Sequence, residues 1–172
     1  MESYMNRISN TGNEPLVKIL EKEDAYPLAK ALLNGGIDVI EVTYRSEHAT
    51  SAIQTISEQL PDMLVGARTV LSVEQAKEAV EAGAKFIITP GFNTKVVQWC
   101  LDHDVEVYPG VSTASEVEMA LSMGLTQLKF FPAESSGGAK KLKDLSAPFA
   151  NVHFMPTGGI NTKNMHDYLS LP

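Results

Sequence analysis

Seven short, β-rich apolar runs recur along the 172-residue chain: "LVKIL" from Leu16, "IDVIEVTY" from Ile37, "MLVGARTV" from Met63, "KFIITPGF" from Lys85, "VEVYPGVS" from Val105, "TQLKFFP" from Thr126 and "VHFMPTGGI" from Val152. Their starts lie roughly 20 to 27 residues apart, room for one strand, one short helix and two tight loops, the composition of a repeated βα unit. The connecting segments agree. "EDAYPLAKALLNGG", "SVEQAKEAVEAGA" and "TASEVEMALSMGL" are alanine-rich, carry apolar residues at helical spacing and end in glycines suited to a left-handed cap. Ser72 with Gln75, and Thr113 with Glu116, predict capping boxes. Such repeats fold either into an open doubly wound sheet or into a closed barrel. No strand is followed by a G-x-G-x-x-G loop, and polar or charged residues gather at the carboxyl ends of the strands. The predicted fold is therefore α/β, a TIM (β/α)8 barrel, in a single domain spanning 1–172.

Composition limits the partners. Fourteen basic against twenty-one acidic residues give a net charge of −7, which argues against nucleic acid or an anionic membrane and leaves room for a small anion at a local site. Cys100 is the only cysteine, so no disulfide framework is possible within the chain. The polar start "MESYMNRISNTGNEP" lacks the apolar core of a signal peptide, and no apolar run approaches the roughly 20 residues of a membrane span. The expected location is cytoplasmic.

The stretch "QLKFFPAE" sets Lys129 between Leu128 and two phenylalanines, in a run apolar enough to be buried on both faces. Burial disfavours a charged amine and lowers its pKa, exposing a nucleophile that can attack a ketone. The Schiff base so formed is an electron sink that lets a neighbouring carbon–carbon bond break. The other reading is a paired core lysine. Glu41, Thr43 and Arg45 share one face of the second strand by the period-two rule, and a carboxylate inside "DVIEVTYR" is tolerated only when functional or well paired. Glu41 could move protons and Arg45 could hold a carboxylate; a buried Glu–Arg pair serves structure equally well. Thr69 closes the third strand, Pro90 and Gly91 the fourth, Pro109 and Gly110 the fifth, and "TGG" at 157–159 the seventh.

"PTGGINTKN" places two glycines at a strand end before a helix that Asn161 or Thr162 would cap, so backbone N–H groups and the helix dipole predict a phosphate site; a plain turn is the alternative. His48, His103, His153 and His166 show no metal-binding spacing, so no metal is expected, and a lysine that forms its own Schiff base would need no cofactor. "GGAKKLKD" reads as the opening of an exposed helix, and Trp99 as packing.

The ordered motifs "EVTYRS", "GARTVL", "FIITPGFN", "YPGVSTASEVEMALSMGL", "LKFFPAE" and "PTGGI" resemble those of 2-keto-3-deoxy-6-phosphogluconate (KDPG) aldolase, over nearly the whole chain. The resemblance implies a class I aldolase, a carbon–carbon lyase on a (β/α)8 barrel and usually a homotrimer. It implies cleavage of KDPG to pyruvate and glyceraldehyde 3-phosphate in the Entner–Doudoroff pathway of carbohydrate metabolism, and in many members cleavage of 4-hydroxy-2-oxoglutarate to pyruvate and glyoxylate. By motif, Lys129 resembles the Schiff-base lysine and Glu41 the general acid and base. Arg45 and Thr69 would bind the pyruvyl carboxylate, Pro90 and Phe131 would wall the pocket, and Gly158 and Gly159 would contact phosphate.

Two departures stand out. Arg68 in "GART" occupies the place of a family glycine; by strand parity it points away from Thr69 toward the helix layer, reaching solvent or a carboxylate, unless a twist at the strand end turns it to the substrate. The chain also shows seven βα units where the family has eight, the eighth strand and helix being absent. It reads either as a fragment, as an apparently truncated barrel, or as a barrel completed by a neighbour. These departures motivate one alternative, a catalytically silent barrel that binds a phosphorylated keto acid or serves only in assembly; a separate alternative keeps the enzyme but makes it an aldolase for the 6-phosphogalactonate epimer, since no residue discriminates that form from the gluconate one.

Overall fold

The computed structural model describes residues 4–11 and 14–171, and they form two compact units. The first holds the residues up to Thr89 together with Asn93–Val107; the second holds Pro90–Phe92 and the residues from Tyr108 onward.

In the first unit, helix α1 (Tyr4–Thr11) precedes β1 (Leu16–Val17). There follow α2 (Ala25–Asn34), β2 (Val39–Thr43), α3 (Ala49–Gln59), β3 (Leu64–Arg68), α4 (Val73–Glu81), β4 (Phe86–Ile88), α5 (Thr94–Asp102) and β5 (Glu106–Tyr108). The strands lie in the order β1-β2-β3-β4-β5, and β1 to β4 pair in parallel. All five residues of β2 are buried, as a strand covered on both faces requires. Helix α3 packs on β2 and β3 and buries Ala49, Ala52, Ile53 and Ile56, apolar residues at helical spacing that form one face. Ser72 caps α4 by accepting from the Gln75 N–H, while Gln75 reaches back to the Leu71 N–H rather than to Ser72 itself. Cys100, on α5, is fully buried, and that burial pushes its thiol up to about 12.

Helix α1 was not predicted, because its polar sequence carries a single buried apolar residue, Ile8. Specific polar contacts hold it. The Arg7 Nε donates to Asp38 Oδ2 at 2.7 Å and the Thr11 hydroxyl to Asp38 Oδ1 at 2.9 Å, just before β2. Arg7 also donates to the Asp62 carbonyl before β3, and the Tyr4 N–H to the Glu106 carboxylate at the start of β5. Burial alone would raise the Asp38 carboxyl; the hydrogen bonds from Arg7 and Thr11 and the Arg7 charge outweigh it and hold the group below its ordinary value.

The second unit contains β6 (Gly110–Val111), α6 (Ala114–Ser122), β7 (Gln127–Phe130), α7 (Gly138–Ser146), β8 (His153–Pro156) and α8 (Met165–Leu169). Its strands pair in parallel in the order β6-β7-β8 over a core that includes Val117, Leu128, Phe130, Leu142 and Tyr168. Thr113 and Glu116 form the predicted capping box on α6. The fifth apolar run is broken between β5 and β6 by Pro109, which has no N–H for the ladder; its carbonyl still accepts from the Lys129 N–H at 3.0 Å. Each of the seven predicted strands is thus present, the fifth in two pieces. Among the described residues no helix is long and apolar enough to cross a membrane.

Candidate active site

In the first unit the polar chemistry lies at the carboxyl ends of β2 and β3. Glu41 is 1% exposed, and its Oε2 accepts from Arg68 Nη1 at 2.5 Å, while its Oε1 is buried without a hydrogen-bond partner. Register explains the pair: Glu41 lies opposite Gly66 and Thr43 opposite Arg68, so Arg68 shares the face of Glu41. The expectation that Arg68 turns to the helix layer is corrected. It assumed an extended backbone through Thr69, whereas Thr69 lies past the strand at φ 59°, where alternation no longer applies. The period-two placement of Arg45 on the face of Glu41 does not extend that far, because β2 ends at Thr43, the chain bends from Tyr44, and Arg45 is exposed. Gly66 makes room on the same face: a Cβ there would lie 2.2 Å from the Phe86 ring.

In the second unit Lys129, 2% exposed, lies on β7 between its register partners Gly110 on β6 and Met155 on β8. Its Nζ sits 4.6 Å from the centroid of the Phe131 ring, a cation–π distance. Gly110 is needed here because a Cβ would come 2.1 Å from the Pro90 carbonyl oxygen, so Pro90 is carried close over the strand next to the lysine. Past Lys129 the chain is laced to the loop after β8: Thr157 N–H donates to the Phe130 carbonyl at 3.0 Å, Ala133 N–H to Thr157 at 2.8 Å, and Glu134 N–H to Gly158 at 3.0 Å.

Gly158 and Gly159 take φ values of 104° and 82°, and a Cβ on Gly158 would press on the Phe131 ring at 3.3 Å. The Gly159 carbonyl accepts from the side-chain amides of Asn161 at 3.2 Å and Asn164 at 3.1 Å. The carbonyls of Thr157, Gly158 and Gly159 are therefore all engaged by donors, which keeps them from repelling an anion at the turn. The predicted helix dipole is not part of this arrangement. Asn161 forms a turn with its side chain accepting from the Lys163 N–H, Asn164 stands at the cap position, and α8 begins only at Met165.

Sequence reasoning missed two residues. Tyr168 on α8 is buried and donates its hydroxyl to Glu134, whose side chain supports the Gly159 turn. The one available signal was a carboxylate directly after the "FFPA" break. Among the described residues no cluster of three or more His, Cys, Asp or Glu could hold a metal ion. His103 instead donates its Nδ1–H to the Trp99 carbonyl at 2.8 Å and stacks on the Trp99 ring.

Residues 6–172 match the family described as Aldolase: KDPG and KHG aldolase. The chain belongs to that family. A 2-dehydro-3-deoxy-phosphogluconate aldolase of Treponema pallidum (strain Nichols) is 48% identical over 158 residues, 92% of this chain and 75% of that protein. A KHG/KDPG aldolase of Escherichia coli (strain K12) is 44% identical over 157 residues, 91% of this chain and 74% of that protein. Among solved structures, KDPG aldolase from Legionella pneumophila, with pyruvate captured at low pH as a covalent carbinolamine intermediate, aligns with a TM-score of 0.89 at 44% identity, covering 92% of this chain and 77% of that one. The parallel α/β architecture read from the seven runs is that of the family.

Proposed function

We propose that this chain is a class I aldolase that cleaves KDPG to pyruvate and glyceraldehyde 3-phosphate through a Schiff base on Lys129. The observation that carries the reading is a lysine buried to 2% exposure on a central strand, within the family's "LKFFPAE" motif. The Lys129 amine attacks the C2 ketone to give a carbinolamine, which loses water to form the imine. The C3–C4 bond then breaks as its electrons move into the imine, the C4 hydroxyl gives up its proton, and the aldehyde leaves. Protonation of the enamine at C3 and hydrolysis release pyruvate and restore the amine.

Glu41 is the proton carrier in this scheme. With Oε2 held by Arg68, the unpartnered Oε1 is the oxygen that takes and returns the proton. Arg45 and Thr69 bind the pyruvyl carboxylate, Arg45 being exposed and so accessible to a ligand. Pro90 and Phe131 wall the pocket, and the turn at Gly158 and Gly159 receives the phosphate. The covalent carbinolamine of the L. pneumophila relative supports the first step. The reading also includes a single catalytic domain, a cytoplasmic homotrimer, and no cofactor or metal; sedimentation velocity tests the assembly against the 18.7 kDa chain.

Borohydride reduction in the presence of pyruvate tests the nucleophile. A pyruvate-sized mass gain on the parent and none on Lys129→Ala is the expected result. A folded parent that gains no mass would overturn the proposal.

A further inference from the structure

Glu134 lies five residues beyond Lys129, and three observations tie it to the Gly158–Gly159 turn. Its N–H donates to the Gly158 carbonyl at 3.0 Å, and its Cβ and Cγ occupy the space where a Gly159 side chain would be, 2.7 and 2.9 Å from that ideal Cβ. Its carboxylate accepts the hydroxyl of Tyr168, which is 8% exposed and packed in the core with Phe130, Ala133, Leu142 and Leu145. Glu134 itself is exposed, so a solvated carboxylate has been drawn onto a buried phenol.

We propose that Tyr168 is a positioning residue, fixing through Glu134 the backbone turn at Gly158–Gly159 and so setting the preference for phosphorylated over unphosphorylated substrates. The inference rests on the reading of that turn as the phosphate end of the site. Tyr168 makes no contact with substrate in this account. It holds the Glu134 side chain against the turn, and the turn has no side chains of its own with which to hold its shape.

The phenol is suited to the task. Burial, with the Glu134 carboxylate beside it, pushes its pKa up to about 12, so the donor stays protonated wherever the enzyme works. The Lys129 backbone is held by the pairing of β7 with β6 and β8 and by the Lys129 N–H on Pro109, bonds that pass through neither Glu134 nor Tyr168. Loosening the turn should therefore leave Schiff-base formation intact.

The test compares the parent with Tyr168→Phe, and with Glu134→Gln, which keeps an acceptor for the phenol. Two readouts are taken: KM and kcat for KDPG, and the rate of borohydride trapping with pyruvate, which has no phosphate. Tyr168→Phe is expected to raise KM for KDPG on the order of ten- to hundred-fold, with kcat and trapping unchanged. Glu134→Gln is expected to stay within a few-fold of the parent. An unchanged KM in Tyr168→Phe overturns the inference, as does an equal fall in cleavage and trapping, which marks Tyr168 as structural. Should Tyr168→Phe fail to fold, Glu134→Ala serves instead, with the same outcomes required. A parent that neither traps pyruvate nor cleaves KDPG removes the functional reading and the inference with it; a parent that does both isolates the inference.

Discussion

The two units fix their polar groups in different ways. In the first, the arrangement depends on one side-chain pair: Glu41 on β2 and Arg68 on β3 meet across a strand pair at 2.5 Å. In the second, the strand end that follows Lys129 is fixed by backbone hydrogen bonds to Thr157 and Gly158, and by glycines whose missing side chains let neighbours approach. A side-chain pair can be altered one member at a time with the backbone in place. A backbone lattice is sensitive to any added atom and insensitive to most changes of charge.

The largest expected effect is on rate. Glu41→Gln keeps the shape of the side chain but cannot carry a proton, and cleavage of KDPG should fall by about 10²–10⁴-fold; kcat near the parent value would remove Glu41 from the chemistry. Next come the glycines, one from each unit. Gly110→Ala drives a methyl into the Pro90 backbone, which cannot rotate away, whereas Gly66→Ala meets the Phe86 side chain. The Gly66 substitution should cost about 1–3 kcal/mol and the Gly110 substitution more, by urea denaturation. The opposite order would undo the contrast drawn here.

The smallest effect is expected when the ion pair is removed one member at a time. Arg68→Met leaves Glu41 buried without its partner and should cost about 2–3 kcal/mol, at or just below the usual range because the guanidinium retains some exposure. In the Glu41→Gln background the same replacement should cost less than about 1 kcal/mol. Equal costs in both backgrounds would mean that the pair has no coupling of its own.

The sequence reading was dependable where periodicity decides. Short apolar runs rich in strand-forming residues marked all seven strands, and Thr113 and Glu116 announced the start of α6 because a capping box is local chemistry. It faltered where position depends on a partner distant in sequence. The Arg68–Glu41 pair required the β2–β3 register, and parity counted along one strand could not supply it. Helix α1 has little apolar pattern, and its anchors at Asp38, Asp62 and Glu106 are scattered along the chain. At "PTGGINTKN" a real turn was recognised, but the asparagines bind the Gly159 carbonyl and postpone the helix to Met165. Lys129, Glu41, Gly158 and Gly159 stand out as candidates because each breaks the pattern of its surroundings. Tyr168 does not, since a tyrosine on an amphipathic helix looks like any other core residue.

Cys100 gives the first unit a built-in clock. It is the only sulfhydryl in the sequence, it is fully buried on α5, and burial keeps it in the protonated, unreactive form. An alkylating reagent can reach it only during moments when that part of the protein opens. The rate of alkylation in native buffer therefore times those openings directly, without a label having to be engineered in.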